Sequence, residues 1–197
     1  MPSKSPFANL DLPRTHILTY LFASGSGPSN EPIWIDSRDP THNLSPKQLL
    51  EMVRRMAAGF KKSGIEPRDV VTIFTPNHIY VPVIYLAIVG YGAVFTGLNP
   101  SYTVQELVHT MVDSEAKAMF VHPALLKTAR AAVSQAGLSD RKLFLFSDSA
   151  REVPAVDGVR DWRTLMGSAV EGEAWKWDAY RAEEARNRIA TINYSSG

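Results

Sequence analysis

Val70-Val71-Thr72-Ile73-Phe74, then Asn77 to Val89, then Ala93-Val94-Phe95-Thr96 decide the fold class. The first stretch is an unbroken run of β-branched and aromatic residues, which suits a strand covered on both faces. The second is an apolar helix ended by Gly90 and Gly92. Pro82 lies inside it and removes one helical hydrogen bond, so the helix starts late or bends. The third is a buried strand again. A strand, a helix and a strand joined this way form a crossover unit, and a crossover of this length makes the two strands parallel.

The same alternation continues outward. Thr103-Val104-Gln105-Glu106 is a capping box that opens a helix with Val104, Leu107, Val108, Met111 and Val112 on one side. Ala118-Met119-Phe120-Val121 is a strand. Pro123 to Ala136 reads as a helix stopped by Gly137, and Leu143-Phe144-Leu145-Phe146 is a strand. Upstream, Ser45 caps a helix, Pro46 fits its first position and Gln48 completes the box. Leu49, Leu50, Val53, Met56, Ala57 and Phe60 form its apolar stripe, and Gly64 supplies a left-handed stop. Pro32 to Asp36 reads as a short strand, and Leu18, Tyr20, Leu21 and Phe22 as a short docking helix. These elements predict an α/β fold: a doubly wound, mostly parallel sheet with helices on both faces. The organisation expected is an N-terminal arm over residues 1–30 and an α/β subdomain over residues 31–197. From Ser147 to Arg181 the pattern weakens. Asp161 to Met166 suits a short helix, and Trp175 and Trp177 suit covers over the core. Ile189 to Tyr194 reads as a last strand.

Composition narrows the function classes. A hydrophobic share of 45% and a charged share of 21% are ordinary for a globular domain. A net charge of +1 points to no nucleic acid or membrane surface. With no cysteine, disulfides, thiolate metal sites and a thiol nucleophile are excluded. The stretch Met1 to Pro13 has no apolar signal region, and no run reaches the roughly 20 residues of a membrane span. The expectation is an intracellular protein, cytoplasmic or peroxisomal, with no transmembrane segment.

Most chemical motifs are missing. His16, His42, His78, His109 and His122 have no metal-ligand spacing and read as ordinary histidines. There is no Gly-x-Ser-x-Gly elbow, and Gly90-Tyr91-Gly92 precedes a strand instead of opening a helix, so neither serine hydrolysis nor dinucleotide binding is indicated. The remaining candidate is Tyr194-Ser195-Ser196-Gly197, where a strand runs into small hydroxyl residues and glycine. Such a loop can turn backbone N–H groups toward phosphate oxygens, although Ser-Ser-Gly is also a common turn.

Four segments in order carry a resemblance. Ser5-Pro6-Phe7 with a downstream Leu-Pro resembles an N-terminal arm. Asp69 to Asn77 resembles a "GD-V-V-I-lPN" strand and turn, with Arg68 where glycine is common. Tyr91 to Pro100, with Ser101-Tyr102-Thr103 and Glu106-Leu107, resembles a "GA-NP-yt-EL" segment. Ile192 to Gly197 resembles the start of a "YSSGTTG-PKG" phosphate loop. Together they resemble the N-terminal part of the adenylate-forming superfamily, in the branch of coumarate–CoA ligases, luciferases and fungal acyl-CoA ligases.

The resemblance implies an enzyme in which a small carboxylic acid attacks the α-phosphate of ATP, giving an acyl-adenylate and pyrophosphate, and the acyl group then passes to coenzyme A. A carrier-protein thiol is the alternative acceptor, and a non-catalytic truncated folding or interaction module is a further alternative. ATP, Mg2+ and coenzyme A are implied for the parent enzyme. Ser195, Ser196 and Gly197 are the residues that carry over, as donors to the ATP phosphates. No catalytic residue and no metal ligand carries over, because the rest of the implied machinery lies beyond Gly197. The 197-residue chain is therefore expected to be inactive, to hold none of these ligands tightly and to self-associate through a truncated sheet edge. Asn77, Asn99 and Pro100 match family segments and are expected to form turns.

Overall fold

The computed structural model describes residues 13–23, 25, 27–139 and 142–194. The Ser5-Pro6-Phe7 segment lies outside them. In chain order the elements are α1 (Ile17–Phe22), β1 (Trp34–Ile35), β2 (Asn43–Leu44), α2 (Pro46–Ser63), β3 (Val70–Phe74), α3 (Val81–Tyr91) and β4 (Val94–Leu98). Then come α4 (Val104–Asp113), β5 (Ala116–Val121), α5 (Leu126–Gln135), β6 (Leu143–Leu145), α6 (Ala169–Ala174), α7 (Ala182–Asn187) and β7 (Thr191–Ile192).

Five strands form one sheet in the order β6-β5-β3-β4-β7, and every neighbouring pair is parallel. Side chains alternate across it as strand geometry requires. Ala118 and Phe120 of β5 join Val71 and Ile73 of β3 in one core, against the stripe of α2 and the whole of α3. Met119 and Val121 join Leu143 and Leu145 of β6 in the other core, against Leu107 and Met111 of α4 and Ala129, Ala132 and Val133 of α5. Helices thus cover both faces, as the alternation of elements predicts.

Helix boundaries follow the expected chemistry. Ser45 Oγ accepts from the Gln48 N–H at 3.2 Å while Gln48 Oε1 accepts from the Ser45 N–H at 2.8 Å. Thr103 and Glu106 repeat the arrangement at the start of α4. Gly64 ends α2 with φ 71°, the left-handed conformation that a glycine reaches without steric cost.

Elsewhere the structure adjusts the reading. The apolar helix begins at Val81, not Asn77, with Pro82 in its first turn, where its missing N–H has no helical partner to lose. It continues through Gly90 to Tyr91. The helix expected from Pro123 divides into a 3-10 turn, Pro123–Leu125, and α5. The short helix near Asp161 is a 3-10 turn, Trp162–Leu165, capped by the Asp161 carboxylate on the Arg163 N–H at 2.9 Å. The early strand shortens to β1 and pairs antiparallel with β2 in a separate hairpin. The last strand shortens to β7, and two short helices that the sequence reading does not include, α6 and α7, precede it; Ser168 and Glu171 form a capping box at the start of α6.

The amino-terminal helix α1 buries only Leu18, which packs over Gly90 of α3. Trp177 covers this region: its Nε1–H donates to Thr19 Oγ1 at 2.8 Å and Arg54 lies 5.3 Å from its ring centre.

Arg68 stands at the turn into β3 with φ 76°, and its N–H donates to the Gly92 carbonyl at 2.8 Å. This is the position where the family-like segment usually has glycine. A side chain in the left-handed region costs about 1–2 kcal/mol, partly offset by glycine's greater freedom in the unfolded chain. Arg68→Gly is expected to stabilise the chain by about 0.5–1 kcal/mol. An unchanged or lower urea midpoint would show that the arginine side chain offsets the strain.

Candidate functional site

Because the sheet is parallel, all five strands end at one edge. The loops after Phe74, Leu98, Val121, Leu145 and Ile192 leave there together. Ligands of such sheets sit outside the carboxyl ends of the strands, at the point where strand order reverses. Here the chain passes from β3 to β4 on one side and then returns to place β5 on the other, so the reversal lies between β3 and β5.

A cleft of about 650 Å3 opens at that reversal. Trp34 and Ile79 give it an apolar wall, and Asn77, His78, His122 and Asp148 come from the loops after β3, β5 and β6. His122 Nδ1 accepts the Ala124 N–H at 3.2 Å, which leaves its proton on Nε2, 3.8 Å from Asp148 Oδ1. That separation is too long for a hydrogen bond. Arg38, reaching over from the β1–β2 hairpin, donates to Asp148 Oδ2 at 2.8 Å. Burial works against ionisation of Asp148, but Arg38 and His122 outweigh it and hold the carboxyl below its usual range.

His78 is the most perturbed group in the cleft. Its Nδ1 faces the Tyr80 N–H at 3.4 Å, its ring lies 4.5 Å from that of Phe146, and its Nε2 is buried with no partner among the described residues. Burial lowers its pKa to about 4, so at neutral pH it is an uncharged donor and not an acid. Next to the cleft, His42 Nε2 and the Tyr80 hydroxyl share a hydrogen bond at 2.7 Å. The histidines read singly in the sequence are thus partly assembled. His78 and His122 follow adjacent strands, a proximity that appears only once β3 and β5 are known to be neighbours. Among the described residues no group of three or more His, Cys, Asp or Glu could hold a metal ion.

The other end of the edge is formed by β7, the strand that precedes the sequence candidate in the chain. Ser195, Ser196 and Gly197 lie outside the described residues. What is described is the strand that leads to them. β7 pairs with β4 through Phe95 opposite Thr191 and Thr96 opposite Ile192, and the Phe95 N–H donates to the Ala190 carbonyl at 3.0 Å. Arg188 fixes its approach by donating to the Gly92 carbonyl at 3.0 Å, with Glu184 at 3.1 Å and the Tyr180 ring centre 4.7 Å away. After the strand, the Tyr194 hydroxyl donates to Asp113 Oδ2 at 2.7 Å. Beside it, Asn99 forms a turn as expected, its carbonyl accepting from Tyr102 and its side chain from Ser101, each at 2.9 Å.

Comparison with known proteins follows the same lines. A family model described as AMP-binding enzyme matches residues 22–197. The acyl-CoA ligase azaF of Aspergillus niger is 27% identical over 192 residues, 96% of this chain and 35% of that protein. The phenylacetyl-CoA ligase epaB of Aspergillus niger is also 27% identical over 192 residues, 96% of this chain and 34% of its own length. The chain therefore spans about a third of the length of these curated relatives. Among solved structures, the anthranilate CoA ligase AuaEII in complex with anthranoyl-AMP superposes with a TM-score of 0.73 at 18% identity, over 95% of this chain and 33% of that one. At that identity the likeness is one of fold.

Proposed function

Since the chain belongs to the AMP-binding enzyme family, we propose that it supplies the first part of an ATP-dependent carboxylate–CoA ligase acting on an aryl or medium-chain acid. The reading is supported above all by β7, a parallel strand beside β4 that only Asn193 and Tyr194 separate from Ser195-Ser196-Gly197 in the sequence. In this reading the backbone N–H groups of Ser195, Ser196 and Gly197 donate to the phosphate oxygens of ATP. The acid's carboxylate attacks the α-phosphorus, the bond to the bridging oxygen breaks and pyrophosphate leaves. A thiol then displaces AMP from the acyl carbon. Fixed donors at the phosphates stabilise charge that grows during transfer, which is how such sites accelerate phosphoryl chemistry.

Mg2+ would neutralise charge on the phosphates. The described residues offer it no group of three ligands, and the phosphates are themselves hard oxygen donors suited to it. The chain's own part is to deliver the opening of the phosphate loop at the sheet edge. By itself it is expected to bind neither ATP nor coenzyme A tightly. β7 pairs on one side only, so its free edge is a place for the 197-residue chain to self-associate. Use of ATP and coenzyme A suits a reaction inside the cell, and cytosol or peroxisome is the compartment proposed; no helix among the described residues is long and apolar enough to cross a membrane.

The test is ATP–pyrophosphate exchange by the full-length product of the same coding sequence, with a panel of aryl and medium-chain acids. Acid-dependent exchange is expected, followed by thioester on addition of coenzyme A, with none from the 197-residue chain. Exchange without thioester would move the acceptor to a carrier-protein thiol. No exchange with any acid would overturn the adenylation reading.

A further inference from the structure

β7 has two residues and one neighbour, which makes it the least supported strand of the sheet. Everything that follows Tyr194 starts from it. Arg188 holds the strand on its upstream side, through the Gly92 carbonyl. Downstream, the last hold among the described residues is the Tyr194 hydroxyl on Asp113 Oδ2, 2.7 Å, with the Thr110 carbonyl 3.5 Å away.

Asp113 is an odd choice for its own helix. It is the final residue of α4, where the helix dipole is negative and a carboxylate is repelled. Aspartate is also a poor helix former compared with alanine. The last turn of α4 is already served without it, since Ser114 donates both its N–H, at 3.0 Å, and its hydroxyl, at 2.7 Å, to the Thr110 carbonyl. What the carboxylate does gain is the tyrosine hydroxyl. Burial and the nearby carboxylate both raise the pKa of Tyr194, which keeps the hydroxyl a donor at neutral pH.

We propose that Tyr194 and Asp113 form a positioning pair for the phosphate loop. Their hydrogen bond ties the end of β7 to α4 and so sets the point and direction from which the chain enters Ser195-Ser196-Gly197. The pair touches no reacting atom; it acts through the main chain. The inference rests on the adenylation reading, because only a loop that meets ATP needs this aim.

The experiment uses the full-length protein with Tyr194→Phe, Asp113→Ala and Asp113→Asn. ATP affinity is measured by calorimetry, and the KM values for ATP and for the acid by ATP–pyrophosphate exchange. Tyr194→Phe and Asp113→Ala are expected to weaken ATP five- to tenfold, about the worth of one charge-assisted hydrogen bond, and to leave the KM for the acid unchanged. The double variant should be no worse than either single one. Asp113→Asn keeps an acceptor oxygen and should restore most of the affinity. Asp113→Ala favours the helix, so a loss in that variant does not come from unfolding.

If the wild type exchanges and the variants retain its ATP affinity, the pair is overturned and the adenylation reading stands. An equal rise in the KM for the acid would also overturn it, as a general loss of structure. If the wild type binds ATP without exchange, the ATP titrations still decide the pair while the adenylation reading fails. A wild type that neither binds ATP nor exchanges sinks both.

Discussion

Gly59→Ala is expected to cost about 2–3 kcal/mol of stability or more, although alanine favours a helix over glycine by about 1 kcal/mol. Gly59 lies in the fourth turn of α2, the longest helix among the described residues, and is buried. A Cβ built there would stand 1.7 Å from the Leu165 carbonyl oxygen and 2.8 Å from its carbon. Both are backbone atoms, so no rotamer change relieves the clash. The 3-10 turn and the segment into α6 would have to move off the helix. They are tied to it by the Gly167 N–H on the Arg55 carbonyl at 2.8 Å and by Arg55 Nε on the Gly167 carbonyl at 2.9 Å. The same turn holds Trp162, which is fully buried in the core. Urea unfolding followed by tryptophan fluorescence would measure the cost, with Gly25→Ala, where an added Cβ would meet no atom within 4 Å beyond its chain neighbours, as a control expected to change stability by less than about 0.5 kcal/mol. Equal midpoints for the two variants would mean that α6 and its approach contribute little to the fold.

That contact also marks where the sequence stops being readable. The strands and helices from Ser45 to Phe146 were legible because each carries its own instruction: a capping box, an apolar stripe at helical spacing, or an unbroken run of β-branched residues. Their parallel arrangement followed from connection length. The packing of residues 162–174 on α2 has no such local sign. It depends on small residues, Gly59, Gly167 and Gly172, lying opposite backbone or side-chain atoms of a distant segment. Glycine in the middle of a helix registers in the sequence only as a weakness. The helices α6 and α7 have six residues each, too few turns for an apolar period to show; α7 has no side-chain cap either, whereas Ser168 and Glu171 give α6 the one local sign that the sequence offers, a capping box.

The candidate site divides in the same way. Tyr194 to Gly197 reads in the sequence as a motif that follows a strand; Ser195, Ser196 and Gly197 lie outside the described residues, and the structure describes the strand before them, beside β4. Its hold on Asp113 was not, since 81 positions separate the partners. The cluster of His78, His122 and Asp148 was equally hidden. Each residue follows a different strand, and only the order β6-β5-β3 brings them to one cleft.

His78 gives that cluster a measurable consequence. Its pKa in the folded chain is about 4 against an ordinary 6.5, with burial as the main cause. Of the charges around it, Asp148 and Asp36 favour the proton, while His122 and Arg163 oppose it. Between pH 6.5 and 4 the unfolded chain therefore binds a proton that the folded chain does not. Unfolding takes up that proton, so stability is full above pH 6.5 and falls as pH drops toward 4. At about 1.4 kcal/mol per pKa unit, and reduced because the ring is only partly buried, the loss should reach roughly 2–3 kcal/mol. The pKa of His16 is lowered by burial too and adds in the same direction. Carboxylates held below their usual range, such as Asp148 and Asp36, act at lower pH, so between pH 6.5 and 5 the slope belongs to the histidines. His78→Asn separates the effects, because its amide oxygen can still accept the Tyr80 N–H but takes no proton. The variant should be somewhat less stable at pH 7, where it loses the ring contact with Phe146, and should lose most of the decline between pH 6.5 and 5. Urea midpoints at half-unit steps of pH would decide the matter, and a variant as acid-sensitive as the wild type would place the titrating group elsewhere than the cleft.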